Sequence, residues 1–206
     1  MDKFSECLWR SAFEVVYGWI YKADVVGREN FPKEGPVIVA PNHKSNNDPC
    51  IVGRALPRHV SFMAKEELFK NPISNFFCRW LGAFPLKRGG VDKIAIRHAM
   101  GLLKNNLVLG IFPEGTRQKK DNTLGRFHDG VASMALRTGV PVVPVAIMGS
   151  YQMKRGQVAA VIGKPIPVAK AKPTTEAIAE LNEKVRVALQ AVSYTHLRAH
   201  ETRRHL

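Results

Sequence analysis

A chain of 206 residues with 45% hydrophobic and 23% charged residues has the composition of a folded domain of ordinary size, which excludes disorder as its main state. Its 31 Lys and Arg against 17 Asp and Glu give a net charge of +14, so a polyanionic partner is expected: nucleic acid, anionic lipid or an acidic carrier protein. Three widely spaced cysteines, Cys7, Cys50 and Cys78, exclude a disulfide framework or a zinc site and fit a reducing compartment.

Residues 1–24 read as an amphipathic helical segment. Its longest apolar stretch, Ser11 to Tyr21, is interrupted by Glu14 and falls short of the ~20 apolar residues of a spanning helix. Acidic residues ahead of it and the lack of a small-residue cleavage site set it apart from a secretory leader. As a helix it would gather Phe4, Leu8, Trp9, Ala12, Phe13, Val16, Trp19 and Ile20 on one broad face, with Trp9, Tyr17, Trp19 and Tyr21 suited to a headgroup boundary. Such a helix could pack on its own domain or lie on a membrane. The basic excess favours the membrane, since each Lys or Arg near an anionic leaflet contributes ~1 kcal/mol.

Residues 25–192 alternate between strand and helix patterns. Val37 to Ala40, entered through Gly35-Pro36, is a buried strand, and Asp48-Pro49 opens a helix to about Leu56 with Asp48 as its cap. Val60 to Ala64 is a second strand; Asn71-Pro72 opens a helix to about Leu81; Ala83 to Leu86 is a third strand, with a helix from Val91 to Asn105 after it. Leu107 to Phe112 is a strand ended by Pro113, Gly130 to Thr138 a helix stopped by Gly139, and Val142 to Met148 and Val158 to Ile162 are strands. Thr175 to Val192 is the last helix. This order predicts a single layered α/β domain with a central, mostly parallel sheet flanked by helices, and functional residues at the carboxyl ends of its strands. Ser193 to Leu206 holds three of the seven histidines and no helical or strand period, and is expected to be a non-native or disordered tail. Without it the chain keeps 28 basic against 16 acidic residues, a net +12, so the basic character belongs to the domain.

The segment Asn42-His43-Lys44-Ser45-Asn46-Asn47-Asp48 follows the first buried strand directly and leads into a helix. A tight turn there would bring the Asp48 carboxylate to the His43 imidazole, fix its tautomer and leave one ring nitrogen to accept a hydroxyl proton. The competing reading is a capping aspartate beside an unrelated loop histidine.

This segment resembles the Asn-His-x-x-x-x-Asp (HX4D) motif of the glycerolipid acyltransferase family. A second matching block holds Lys65, Glu67, Leu68, Pro72, Gly82, Phe84, Leu86 and Arg88; a third is Phe112-Pro113-Glu114-Gly115-Thr116-Arg117; a fourth is Val140-Pro141-Val142-Val143-Pro144-Val145. The blocks stand in the family's order, span about half the chain, and are most similar to the bacterial 1-acylglycerol-3-phosphate acyltransferases. The resemblance implies transfer of an acyl group from a thioester, on coenzyme A or acyl carrier protein, to the free sn-2 hydroxyl of lysophosphatidate. His43 would be the general base and Asp48 its orienting partner. Arg88, Arg117 and Lys65 would hold the acceptor phosphate, since a guanidinium fork binds phosphate bidentately and keeps its proton. Glu114 would contact the acceptor's glycerol portion, with Gly115 and Thr116 beside it. No metal or redox cofactor is implied. Glycerol 3-phosphate or another lysophospholipid is the alternative acceptor.

Other positions are open to a role. Cys50, in the first turn of the helix begun by Asp48, could serve as an acylated nucleophile if the helix dipole lowers its thiol pKa. His128 stands where the family usually has Lys, and Lys119 and Lys120 could supply that charge. His98, between Ile94 and Leu102, reads as a packed core-edge histidine. A basic nucleic-acid-binding domain is the rival class, but no nucleic-acid motif is present and no nucleic-acid partner is expected. A catalytically silent lipid-binding protein is opposed by the intact Asn42, His43, Asp48 and Glu114. The expected setting is the cytoplasmic face of the cell membrane, held there peripherally or monotopically by an anionic surface.

Overall fold

Valine-, isoleucine- and alanine-rich runs build a seven-stranded sheet in the computed structural model, which describes residues 8, 10–87, 89–118 and 123–204, with side chains through Tyr194. In spatial order the strands are β1 (Asp24–Val26), β7 (Ala159–Ile162), β6 (Val142–Met148), β2 (Val37–Pro41), β5 (Val108–Gly110), β3 (Val60–Lys65) and β4 (Phe84–Leu86). Every neighbouring pair is parallel except β6 with β7, so the expected mostly parallel sheet is present.

Side chains of the central strands alternate between two cores. Ile38, Ala40, Leu109, Val142 and Ala146 point to one, and Val37, Val39, Val143, Val145 and Ile147 to the other. Both faces are covered, which is why β2 is apolar at every position instead of alternating with polar residues. Helices α3 (Lys93–Lys104), α4 (Gly130–Thr138) and α5 (Thr175–Arg204) close the first core through Ala95, Ala99, Leu103, Val131, Leu181 and Leu189. Helix α1 (Asp48–Ala55) and the N-terminal helix close the second. Helix α2 (Pro72–Trp80) lies in the β3–β4 connection, and none of its residues is buried.

Asn71 caps α2 by accepting the Ile73 and Ser74 N–H groups, and Asp92 caps α3 through the N–H groups of Ile94 and Ala95. Gly139 ends α4 in the left-handed conformation at φ 72°, as a helix-stopping glycine should. Expected and observed bounds of these elements agree within two residues, with three departures. Strand β1 has no counterpart in the sequence pattern: three residues, only one of them less than exposed, carry no readable period, and β1 forms because β7 offers it a parallel partner. The last helix does not stop at Val192 but continues to Arg204, so residues 193–204 are helical and not irregular. No glycine or proline occurs between Thr174 and Arg204, so nothing in the chain breaks the helix at Val192. The apolar stripe expected at Ile94, His98 and Leu102 is not the buried one: Ala95, Ala99 and Leu103 are, and the exposed His98 ring packs on Phe84 at 4.5 Å.

The N-terminal helix differs in its winding. Residues 10–13 are α-helical and Glu14–Ile20 form a π-helix, seen in the Tyr21 N–H donating five residues back to the Val16 carbonyl. The wider turn sets Phe13, Tyr17 and Tyr21 in a row of ring contacts towards the domain, with Tyr17 buried. Leu8, Val15, Trp19 and Ile20 are left exposed, so the single broad face anticipated from the sequence is divided between core and solvent. Arg54 of α1 fastens the helix through an ion pair with Glu14 at 2.9 Å. No helix among the described residues is long and apolar enough to cross a membrane.

Candidate active site

Because β2, β3, β4 and β5 run parallel, their carboxyl ends share one edge of the sheet. There β2 delivers Asn42 and His43, β3 delivers Lys65, and β5 leads into the 112–118 loop. Asn42 is buried and extends the β2–β6 pairing beyond the strand: its amide donates to the Ile147 carbonyl at 2.9 Å and its oxygen accepts the Ile147 N–H at 2.6 Å. The root of the histidine turn is therefore held as firmly as a strand.

His43 Nδ1 lies 2.9 Å from Asp48 Oδ2. The Asp48 carboxylate is fully buried, and the same oxygen accepts the N–H groups of Lys44 at 2.6 Å and Ser45 at 2.7 Å. Asp48 thus caps the turn before it and not helix α1, whose N-cap is Asn47 without a side-chain bond. The turn wraps around one carboxylate oxygen, which is how a five-residue spacing unsuited to a helix face yields direct contact. With Nδ1 engaged, Nε2 is the nitrogen available to the cavity that His43 lines. The ring is held by packing as well: it stacks on Phe112 at 4.0 Å, and Phe112 stacks on Phe62 at 5.3 Å.

Glu114 is placed differently from the role its resemblance implies. It is 1% exposed; Oε1 accepts the His43 N–H at 2.9 Å and Oε2 accepts the Gly125 N–H at 2.8 Å. The carboxylate is therefore turned into the protein and does not line the cavity, because it is the acceptor for two main-chain donors. The Gln118 N–H donates to the His43 carbonyl at 2.8 Å, so the main chain of the histidine is gripped on both sides by the 114–118 segment. Lys44 Nζ reaches the Thr123 carbonyl at 2.8 Å and adds a third tie to the 123–127 loop. Gly115 sits at φ +60°, and a Cβ there would come within 2.8 Å of His128 Cδ2. His128, in place of the family's Lys, packs over that glycine, and its N–H donates to the Pro113 carbonyl at 2.8 Å.

A cavity of about 700 Å³ opens at His43. Its polar end is formed by His43, Lys65, Thr116 and Arg117, the last three exposed. From there it runs along β3 to His59 and Val60, between α1 and α2, walled by Phe62, Met63, Leu68, Cys78 and Leu81. A six-residue strand makes that path about 17–20 Å long. His43, Lys65, Gly115, Thr116 and Arg117 are thus gathered at one rim, with Asp48 buried behind the histidine. Arg88, Lys119 and Lys120 lie outside the described residues. Cys50 lines the cavity too, but burial pushes its thiol up to about 11, opposite to the lowering a helix N-terminus would give, with a hydrogen bond to Tyr17 only partly offsetting this. Such a thiol stays protonated at neutral pH and is a poor nucleophile. Among the described residues no group of three or more His, Cys, Asp or Glu is placed to hold a metal ion.

Asn42, Phe112, Gln118 and Gly125 are the contributors that motif reading did not assign. Asn42 and Phe112 lie inside matching blocks, but only the strand pairing and ring stacking reveal what they do.

Residues 22–148 match the family model described as Acyltransferase. A chloroplastic 1-acyl-sn-glycerol-3-phosphate acyltransferase, BAT2, of Brassica napus is 34% identical over 165 residues, covering 73% of this chain and 47% of that protein. The 1-acyl-sn-glycerol-3-phosphate acyltransferase of Bacillus subtilis (strain 168) is 31% identical over 180 residues, covering 84% of this chain and 89% of that protein. The crystal structure of the 1-acyl-sn-glycerophosphate (LPA) acyltransferase PlsC from Thermotoga maritima superposes with a TM-score of 0.70 at 29% identity, over 92% of this chain and 79% of that one. The chain spans about half the length of the plant relatives it matches.

Proposed function

The chain belongs to the acyltransferase family, and from that premise we propose that it acylates the free hydroxyl of a lysophosphatidate-type acceptor with a fatty acyl thioester, giving phosphatidate. The observation that carries this reading is the His43–Asp48 pair, 2.9 Å apart at the polar mouth of a long apolar cavity. Asp48 holds the imidazole by Nδ1, and Nε2 takes the acceptor's hydroxyl proton as that oxygen attacks the thioester carbon. The tetrahedral intermediate collapses with cleavage of the carbon–sulfur bond, and the proton on Nε2 passes to the leaving thiolate. Arg117 and Lys65 hold the acceptor phosphate, with Arg88 as a third cation. The acyl chain occupies the channel beside β3, which explains why a surface site carries so deep an apolar cleft.

Coenzyme A or acyl carrier protein delivers the acyl group. Glycerol 3-phosphate or another lysophospholipid is the second acceptor class, and no resident cofactor takes part. The chain works on an anionic membrane surface, on the cytoplasmic side, with the exposed Trp19 and Ile20 of the N-terminal helix at the headgroup boundary. The test is acyl transfer to a panel of lysophospholipids, read by product class. His43→Ala should lower kcat by ~10²–10⁴-fold, the usual contribution of a general base. A His43→Ala protein with near-normal turnover ends the assignment.

A further inference from the structure

Helix α2 carries an apolar stripe that faces away from the protein. Ile73, Phe76, Phe77 and Trp80 recur at the i, i+3, i+4, i+7 spacing that ordinarily seats a helix on a core. Here Ile73 is 70%, Phe76 65% and Phe77 51% exposed. Phe77 makes edge contacts with Phe76 at 5.7 Å and Trp80 at 6.3 Å, so the stripe is one aromatic ridge and not a scatter of side chains. Exposed apolar ridges of this kind mark interaction surfaces.

Three features identify the occupant. Leu68, 45% exposed, lies just before α2 and also lines the cavity, while Cys78 on the far side of α2 and Leu81 at its C-cap, four residues after Phe77, wall it. Apolar surface therefore runs from the outside of α2 into the cleft, a path that suits hydrocarbon chains better than a folded partner. Phe13, on the domain-facing side of the N-terminal helix, lines the same cavity, so that helix as well as α2 borders it. The surrounding charge is cationic: Lys65, Lys70, Arg79 and Lys87 are exposed, against Glu66 and Glu67, of which Glu66 pairs with Lys87 at 3.8 Å.

We propose that the α2 ridge is a docking surface for an anionic phospholipid leaflet, inserting Ile73, Phe76 and Phe77 among the lipids and setting the cavity mouth on the membrane. The purpose of this surface, delivery of acyl chains, rests on the acyltransferase reading; the docking itself does not. The ridge enters the bilayer boundary while the cationic rim meets the headgroups, the arrangement of interfacial amphipathic helices.

The experiment is co-sedimentation of the full chain with vesicles of phosphatidylcholine alone and of phosphatidylcholine with phosphatidylglycerol. The parent should bind the anionic vesicles preferentially. The triple variant Ile73→Ser/Phe76→Ser/Phe77→Ser should bind them on the order of tenfold or more weakly, from the lost apolar burial. It should still acylate a short-chain acceptor kept below its micellar concentration. Should the triple variant misfold by circular dichroism, Lys70→Glu/Arg79→Glu serves instead and should abolish the preference for anionic vesicles. Unchanged vesicle binding by a folded variant overturns the proposal, as does a parent dimer that the triple variant converts to monomer without any vesicle binding. His43→Ala separates the two readings: it should bind vesicles as the parent does while losing turnover. Vesicle binding by a parent that transfers no acyl group would sink the enzyme reading and leave the surface standing.

Discussion

Replacing Glu114 distinguishes a positioning carboxylate from a substrate-binding one. In Glu114→Ala the main-chain N–H groups of His43 and Gly125 lose the acceptor they share, now at 2.9 and 2.8 Å. A buried donor left unpaired costs ~1–3 kcal/mol, so the pair together costs about 2–6 kcal/mol. Gly125 is only half-buried and water can reach it, which places the expected loss of stability in the lower half, about 2–4 kcal/mol. Glu114→Gln should lose less. Its single carbonyl oxygen can still accept one N–H, but its amide points a donor at the other. The kinetic effect follows from geometry. A turn released on one side lets the imidazole drift, and a displacement of about 1 Å costs on the order of 10²-fold in rate. Urea unfolding and steady-state kinetics on the same variants measure both quantities. The expected result is a fall in kcat of ~10²-fold with acceptor KM nearly unchanged, accompanied by lowered stability. A rise in acceptor KM at unchanged kcat and stability would refute the reasoning, since that is how a side chain gripping the acceptor's glycerol portion behaves.

Arg117→Ala should lower kcat/KM for a phosphate-bearing acceptor by roughly 10–150-fold, the equivalent of one charge-assisted hydrogen bond of ~1.5–3 kcal/mol; an equal loss with an acceptor lacking the phosphate would contradict the phosphate role. Incubation with acyl donor alone should add no acyl mass to Cys50 by intact-protein mass spectrometry, and a stable acyl adduct there would revive the thiol mechanism. The Cys50 thiol ionises near 9 in the unfolded chain and is pushed to about 11 by burial in the folded one. The native state then holds more protons than the unfolded state, so stability falls as pH rises between those values, by about 2–3 kcal/mol, and Cys50→Ala should flatten that alkaline decline in urea titrations. Cys78→Phe, intruding on the channel beside β3, should shift the acyl donor profile towards shorter chains; an unchanged profile would remove the acyl chain from that cleft.

The layered α/β architecture is readable because its strands are buried on both faces and its helices are punctuated. Val37 to Ala40 and Val142 to Met148 are uninterrupted apolar runs, and Asn71-Pro72 and Gly139 mark a start and a stop that the structure uses as such. What escapes such a reading are features decided by neighbours. Strand β1 exists only through its pairing with β7, and the π-winding of Glu14–Ile20 depends on Tyr17 being drawn into the domain, where its hydroxyl donates to Asn47. Local propensity contains neither partner.

The site divides along the same line. That His43 and Asp48 belong together is legible from their place between a strand and a helix, and contact at one sheet edge follows once the strands are parallel. The direction in which a carboxylate faces is not. Asp48, at the start of α1, and Glu114, in the loop after β5, are both acidic, both buried, and both bound to main-chain N–H groups. Asp48 holds the imidazole by its side chain and Glu114 holds the same residue by its backbone. The two carboxylates thus fix one histidine from opposite ends, and this is why the glutamate is hidden from the cavity, while Thr116 and Arg117, the residues just beyond the left-handed Gly115, are presented to it.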